Sequence, residues 1–386
     1  MKTMLGSKRQ NYLARISIFF VGLALIAGMV GCHTSVQYVL TVVSTQGGSV
    51  TDPGEGAFDC NKGTVINLVA EAEEGYGFVN WTGDVSTIAD VSEASTNITM
   101  NGDYSVTANF ALAILDWYDL DTIRIDLSSN YVLMNDLDST TAGYAEMAGP
   151  SANGGKGWEP IGTNGTSDSF TGSFDGRGYE IRDLVICRPD EHYVGLFGFV
   201  DNGGVITDIG VVNIVAVGNA YVGGLVGMNV HGNVTQSYST GNVTGNYFVG
   251  GLAGGNNGTV IDSYSTANVM GEGEVGGLLG TNEDSGTVGN CYSTGRVTGT
   301  EEVGGLAGHN VGGSVTNCFW DIGTSGQSTS AGGTGKTTAE MKSIATFSSA
   351  GWNVVAVANA STRNSAYIWN IVDGQTYPFL SWQPIP

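Results

Sequence analysis

The chain has 386 residues, of which 41% are hydrophobic, 13% charged and 61 glycine, and 36 acidic against 14 basic side chains leave a net charge of −22. Such an acidic surplus repels nucleic acid and anionic lipid, and patterned apolar residues at this fraction exclude a disordered chain. With so few charges the surface must be largely Ser, Thr, Asn and Gly, and the length allows two or three domains.

Residues 1–15 carry Lys2, Lys8, Arg9 and Arg15 and no acid, an apolar run over 16–30 follows, and Gly31-Cys32 closes the stretch. A basic segment, an apolar run too short for a comfortable membrane span and a small residue before cysteine describe an export signal. Gly31-Cys32 resembles a lipobox, which implies lipidation of Cys32 and attachment to the outer face of a membrane. Simple secretion and an uncleaved anchor are the alternatives. Residues 1–32 are therefore read as signal and 33–37 as tether.

Residues 38–111 read as a distinct unit. Tyr38-Val39-Leu40-Thr41-Val42-Val43 has strand character, Gly47-Gly48 ends it, and Asp52-Pro53-Gly54-Glu55-Gly56 is a turn cluster. Further strands are predicted over 64–71, 77–81, 94–100 and 104–110. With Gly75-Tyr76-Gly77-Phe78-Val79-Asn80-Trp81-Thr82-Gly83-Asp84 and the ending Val106-Thr107-Ala108-Asn109-Phe110, the unit resembles the divergent internalin-B-type repeat of surface proteins. That resemblance implies a spacer or adhesion module. Trp81 is expected in its core, the alternative being an exposed ligand platform.

In the lead-in over 112–157, Asp116 is placed as the N-cap of a helix on which Trp117, Leu120, Ile123 or Arg124, and Leu127 share one face. A strand over 131–134 follows. A solenoid must cover its open end, so this segment is read as an N-terminal cap. Asp116, Asp119, Asp121, Asp126, Asp136 and Asp138 offer oxygens of the kind calcium takes, but without a calcium-loop spacing, and a solvated acidic face is the plainer reading. No cofactor or metal is expected, calcium being the one candidate.

From Val194 one phrase returns five times: Val194-Gly195-Leu196-Phe197-Gly198, Val222-Gly223-Gly224-Leu225-Val226-Gly227, and again from Val249, Val275 and Val303. A second phrase trails it: Tyr238-Ser239-Thr240, Tyr264-Ser265-Thr266, Tyr292-Ser293-Thr294 and finally Phe319-Trp320. The period is about 27 residues, and its slack falls between an asparagine (Asn229, Asn256, Asn282, Asn310) and a valine (Val234, Val260, Val288, Val315). Insertions therefore gather at one turn on one edge.

A unit rich in Val, Thr, Tyr and Gly, with no helical period, suits a coil of short strands, each pairing in parallel with its equivalent one rung on, ~4.8 Å away. Like then sits over like. The asparagine column should hydrogen-bond along itself, and the glycines are expected at corners of positive φ. Cys291 and Cys318 share a column with Ser237 and Ser263, which reads as a small buried position holding free thiols, although adjacent rungs would also permit a disulfide.

The Val-Gly-Gly-Leu-x-Gly phrases resemble the GLUG repeat of bacterial and archaeal surface proteins. The lead-in Trp158-Glu159-Pro160-Ile161-Gly162 and Phe170-Thr171-Gly172-Ser173-Phe174-Asp175-Gly176, with the closing Ile368-Trp369-Asn370 and Tyr377-Pro378-Phe379-Leu380, resemble the flanks of such arrays. The resemblance implies an all-β chain with a right-handed parallel β-helix over 158–320 and a C-terminal cap or tail over 321–386. The usual hand of parallel crossovers agrees. Some six or seven rungs, roughly 30 Å of stack, are expected.

Gly332-Gly333-Thr334-Gly335-Lys336-Thr337-Thr338 imitates a phosphate-binding loop, but Ser330 stands where its first glycine belongs. Thr337 with Glu340 reads instead as the capping box of a helix reaching Phe347, so no nucleotide partner is expected. His33, His192, His231 and His309 have no partner that spacing identifies. The rung charges Asp262, Glu272, Glu274, Glu283, Asp284, Arg296, Glu301 and Glu302 are placed at turns and not in one column, which argues against a catalytic groove.

The binding candidate is the column Tyr238, Tyr264, Tyr292 and Phe319, which either lines the core or, pointing outward, presents an aromatic ladder to an extracellular glycan or protein ligand. The expectation is an exported, lipid-anchored surface repeat protein with an adhesive or structural role and no catalytic site. A polysaccharide-binding or polysaccharide-cleaving β-helix is the alternative.

Overall fold

The computed structural model describes residues 36–163 and 168–384, so Cys32 and the signal lie outside the described residues. The N-terminal module is built from the strands Gln37–Ser44, Gly48–Asp52, Gly56–Asn61, Val65–Ala72, Tyr76–Gly83, Ser95–Thr99 and Tyr104–Ile114. Alternation sends Leu40, Val42, Leu68, Ile98 and Val106 into one core around Trp81, whose indole N–H donates to the Glu93 carbonyl at 3.0 Å.

The module's last strand runs beyond Phe110, where the sequence pattern ended it. Leu112–Ile114 pair in parallel with Tyr131–Leu133, and Asn130–Val132 pair with Ser173–Asp175, the first strand of the coil on that side. Module and solenoid therefore share one 11-stranded sheet. Arg177 adds a bond to the Phe78 carbonyl at 3.1 Å. The cap forms as its local signals require: Asp116 accepts from the Asp119 amide at 2.9 Å ahead of the helix Trp117–Thr122, and Trp117, Leu120 and Ile123 are fully buried.

Each turn of the solenoid contributes to four sheets, typified by Val205–Thr207, Gly210–Val217, Ala220–Val222 and Val226–Asn229. The last two belong to sheets of five strands each, which sets about five complete turns. The six or seven expected counted flanking phrases: Ile161, in the lead-in, makes only an isolated bridge to Phe197. Register is like over like, with Val222, Val249, Val275 and Val303 in one column and Val234, Val260, Val288 and Val315 in another. Their interior members bury side chains worth about 1.5–3 kcal/mol each. At the turn, Asn229 Nδ2 donates to Asn256 Oδ1 and Asn256 Nδ2 to Asn282 Oδ1, both at 2.8 Å, so amides buried away from water are satisfied along their own column.

The phrase glycines correct the expectation of positive-φ corners. Gly250, Gly251 and Gly254 keep ordinary φ. They are required because backbones approach: a Cβ on Gly251 would lie 2.3 Å from the Gly277 carbonyl oxygen, and one on Gly254 2.4 Å from the Tyr221 carbonyl carbon. Most left-handed corners of the coil fall on residues with side chains, among them Gln236, Asp262, Asn290 and Asn317 at φ 46°, 51°, 51° and 53°, with Gly203, Gly241 and Gly312 among the glycines that share this conformation. Cys291 and Cys318 stack as free buried thiols, with the Cys291 amide donating to the Cys318 sulfur at 3.4 Å. Cys60 is free and buried, Cys187 free and exposed.

Past Asp321 the chain closes the end of the array, with the Gly305 amide on the Thr329 carbonyl and the Ala331 amide on the Ala307 carbonyl, both at 3.0 Å. Thr337 and Glu340 form the capping box, but the helix breaks into Thr338–Met341 and Ile344–Ser348. The chain then folds back along the outside of the solenoid, where Val354–Ala356, Trp369–Ile371 and Phe379–Leu380 make a small sheet.

Candidate functional site

In the second phrase of each repeat, Ser237 and Ser239 are buried, and Ser239 Oγ bonds the Gly251 carbonyl at 2.6 Å inside the coil. The residue between them, Tyr238, points the other way. Tyr238, Tyr264 and Tyr292 stack with centroids 4.8 Å apart and planes within 4° and 2°. With Phe319 they belong to a hydrophobic core separate from that of the solenoid interior, completed by Phe347, Trp352, Trp369 and Leu380 of the returning C-terminal segment.

Trp369 covers the seam between Tyr264 and Tyr292, at 6.0 and 5.8 Å with interplanar angles of 54° and 56°, and its N–H donates to Asp262 at 3.1 Å. The hydroxyls are also engaged: Tyr238 donates to the Glu180 carboxylate, Tyr264 to Gln383 at 3.0 Å and Tyr292 to the Pro378 carbonyl at 2.6 Å. Burial pushes all three hydroxyls far above their ordinary titration range, so they remain donors. The candidate contact column Tyr238, Tyr264, Tyr292 and Phe319 thus points out of the coil but is core, 1–7% exposed and closed to a ligand by the chain itself.

A second aromatic column lies on the same rungs at the residue before each phrase valine. Tyr193, Tyr221 and Phe248 stack at 5.2 and 4.4 Å with planes 15° and 10° apart. They are half-buried and belong to none of the three hydrophobic cores. Phe199 supports Tyr193 edge-on at 5.2 Å, and the Tyr221 ring lies over Gly255, where a Cβ would come within 3.0 Å of it. Tyr193, Tyr221 and Phe248 take φ of 60°, 55° and 54°, a left-handed conformation that bulky residues avoid.

Glu274 and Glu302 continue this column, also left-handed, because Val275 and Val303 pair in register. The expectation that the rung charges share no column fails for this pair. Glu302 meets His309 Nδ1 at 2.6 Å, and Thr281 donates to Glu283 at 3.0 Å. Desolvation, followed by the Glu302 charge, raises the Glu274 pKa, and one Glu274 oxygen is buried with no hydrogen-bond partner among the described residues. The cap aspartates do not converge. Asp126 accepts from Ser128 and Ser129, and Asp138 from Thr140. Among the described residues no group of three or more His, Cys, Asp or Glu is placed to hold a metal ion.

The signal for the second column was present in the sequence as Tyr, Tyr, Phe, Glu, Glu before successive Val-Gly phrases. It repeats in position and not in identity, so it does not read as a motif.

Residues 38–114 match the family model of the divergent InlB B-repeat domain, and residues 218–244 and 271–298 match the GLUG motif. This chain joins an InlB-type repeat domain to a GLUG array. Curated relatives of the chain include halomucin of Haloquadratum walsbyi, 35% identical over 144 residues, and a provisionally named Gly-rich membrane protein of Evansella cellulosilytica, 36% identical over 115. These matches cover 37% and 28% of this chain but only 2% and 12% of the relatives' own lengths. A crystal structure from Bacteroides ovatus, provisionally named an immunoglobulin A1 protease, shares the fold at a TM-score of 0.51 and 18% identity, over 71% of this chain and 93% of that one. The names and motifs fit a repeat surface protein. No helix among the described residues is long and apolar enough to cross a membrane.

Proposed function

We propose that this GLUG-array chain is an exported, lipid-anchored surface protein with an adhesive or ligand-display role, and that the face carrying Tyr193, Tyr221 and Phe248 is its contact surface. One observation carries the reading. Three aromatic rings are held at left-handed backbone positions, each at a cost of about 1–2 kcal/mol, and belong to none of the hydrophobic cores formed among the described residues. Elsewhere in the coil such corners carry mostly Gln, Asp or Asn, so bulky rings kept at them, half-buried at the surface, argue for a use of the side chain. The other column on the same rungs offers the contrast, because there the chain buries its aromatic ladder under its own C-terminal segment.

Glu274 and Glu302 favour a second reading, glycan cleavage, since residues one rung apart lie at about 4.8 Å, near the carboxyl spacing of retaining glycosidases. The soluble chain from residue 36 on is tested on glycan and surface-protein arrays beside a Tyr221→Ser, Phe248→Ser variant, with bound glycans checked for cleavage. Binding without cleavage, lost in the variant, is expected. Binding that the variant leaves unchanged overturns the assignment of the face, and cleavage moves the chain to the second reading.

A further inference from the structure

We infer that the partner at this face is an extended polypeptide segment carrying an aromatic side chain and, two residues on, a basic one. The inference rests on the proposal that the face is the contact surface, and it narrows the partner from glycan or protein to one class.

Ring orientation removes the usual sugar contact at the middle ring, Tyr221. Sugars lay their C–H groups on aromatic faces, but Tyr221 has Tyr193 on one face at 5.2 Å and Phe248 on the other at 4.4 Å. What the stack turns outward is ring edges. An aromatic edge carries the positive part of the ring quadrupole and is complemented by the face of another ring.

The same rungs already show such an occupant. Across the first column the C-terminal segment lays Trp369 over the edges of Tyr264 and Tyr292, at 6.0 and 5.8 Å and more than 50° from their planes, while its backbone oxygen at Pro378 takes the Tyr292 hydroxyl. A polypeptide with an aromatic side chain over the seam is thus the arrangement this solenoid adopts when an outer ladder is filled. The seam between Tyr221 and Phe248 is the equivalent place on the second column.

Charge fixes the rest. The second column passes from Phe248 to Glu274 and Glu302, with Glu283 beside them on the neighbouring sheet. Glu274, Glu283 and Glu302 outnumber the one cation among them, His309 on Glu302, and the whole chain carries −22, so the column favours a basic side chain on the partner. Glu274 lies one and a half rungs, about 7 Å, from the seam, which is the reach of two residues of extended chain at about 3.3 Å each. The complementary segment therefore reads aromatic, any residue, Arg or Lys.

The test is a fluorescence-anisotropy titration of the soluble chain from residue 36 on with a labelled peptide repeating Trp-Ser-Arg-Ser, against peptides repeating Leu-Ser-Arg-Ser and Trp-Ser-Glu-Ser, with a glycan array in parallel. The Trp/Arg peptide should bind, each control should bind about tenfold more weakly or worse, and added salt should weaken the complex. Glu274→Gln with Glu302→Gln should cost about tenfold for the Trp/Arg peptide and tighten the Trp/Glu one, because the like-charge repulsion is relieved. Near-ultraviolet circular dichroism shows that each variant keeps its fold. Equal binding of the three peptides, or glycan binding at this face with no peptide binding, overturns the inference but leaves the adhesive reading standing. If no ligand responds to Tyr221→Ser with Phe248→Ser, both fall.

Discussion

Gly251→Ala isolates what the phrase glycines do. The backbone there has ordinary φ, so alanine meets no conformational penalty. The added Cβ would lie 2.1 Å from Ser265 Oγ and 2.3 Å from the Gly277 carbonyl oxygen. The serine hydroxyl can rotate away only by giving up the bond it accepts from the Ala267 amide, and Ser265 Cβ stays at 2.9 Å. The carbonyl cannot, because it belongs to the next rung's backbone. Relief requires the two rungs to separate by several tenths of an ångström, which costs about 1–3 kcal/mol as overpacking, and about 1 kcal/mol more if a ladder bond is lost. For an array of this size, 2–3 kcal/mol corresponds to a fall in Tm of roughly 5–10 °C. Inserting Gly-Ser between Asn257 and Gly258, in the turn after the asparagine column, should cost under about 1 kcal/mol, since this is the segment whose length already differs from repeat to repeat. Thermal melts of both variants beside the parent chain give the comparison. If Gly251→Ala melts within about 1 °C of the parent, or the insertion costs as much as the substitution, the close-approach argument is wrong.

Burial, with the Asp175 charge adding to it, raises the Asp208 carboxyl to about 6. The folded state therefore holds this proton more tightly than the unfolded chain does, and the stability it contributes is complete below about pH 4 and lost as pH rises through 6. Asp208→Asn, which suits φ 53°, should leave stability near pH 4 nearly unchanged and raise it by about 3 kcal/mol at pH 7, measured by urea titration; a constant difference between the two proteins refutes this. Trp369→Ala should cost about 3–5 kcal/mol in the packing of the C-terminal segment and open Tyr264 and Tyr292 to hydroxyl-radical modification while the solenoid's circular dichroism persists. Continued protection of both tyrosines contradicts the role given to Trp369. Cys32→Ala should move the full chain from the membrane pellet to the soluble fraction; a variant that still pellets after carbonate washing is held by its apolar run and not by lipid.

The solenoid interior was readable because parallel stacking turns each structural column into a repeated letter: Val234, Val260, Val288 and Val315, or Asn229, Asn256 and Asn282. Asp116 and the Thr337–Glu340 capping box were readable because their bonds are local. The glycines misled, since close approach and positive φ select the same residue. The direction of Tyr238 was hidden by the left-handed corner at Gln236, which breaks the alternation from Val234 onward. What covers the tyrosines could not be read either: Trp369 stands more than a hundred residues from Tyr264, and only the fold brings it back. Tyr221, Phe248 and Glu274 shared a column in plain sight but differed in chemistry, so register and not pattern united them.

The claim that one aromatic column is closed by the chain and the other left for a partner is tested most directly by hydroxyl-radical footprinting of the free soluble chain, read by mass spectrometry. The account predicts rapid modification of Tyr221 and Phe248 and protection of Tyr238, Tyr264 and Tyr292. Protection of Tyr221 and Phe248 together with modification of the three tyrosines would contradict it.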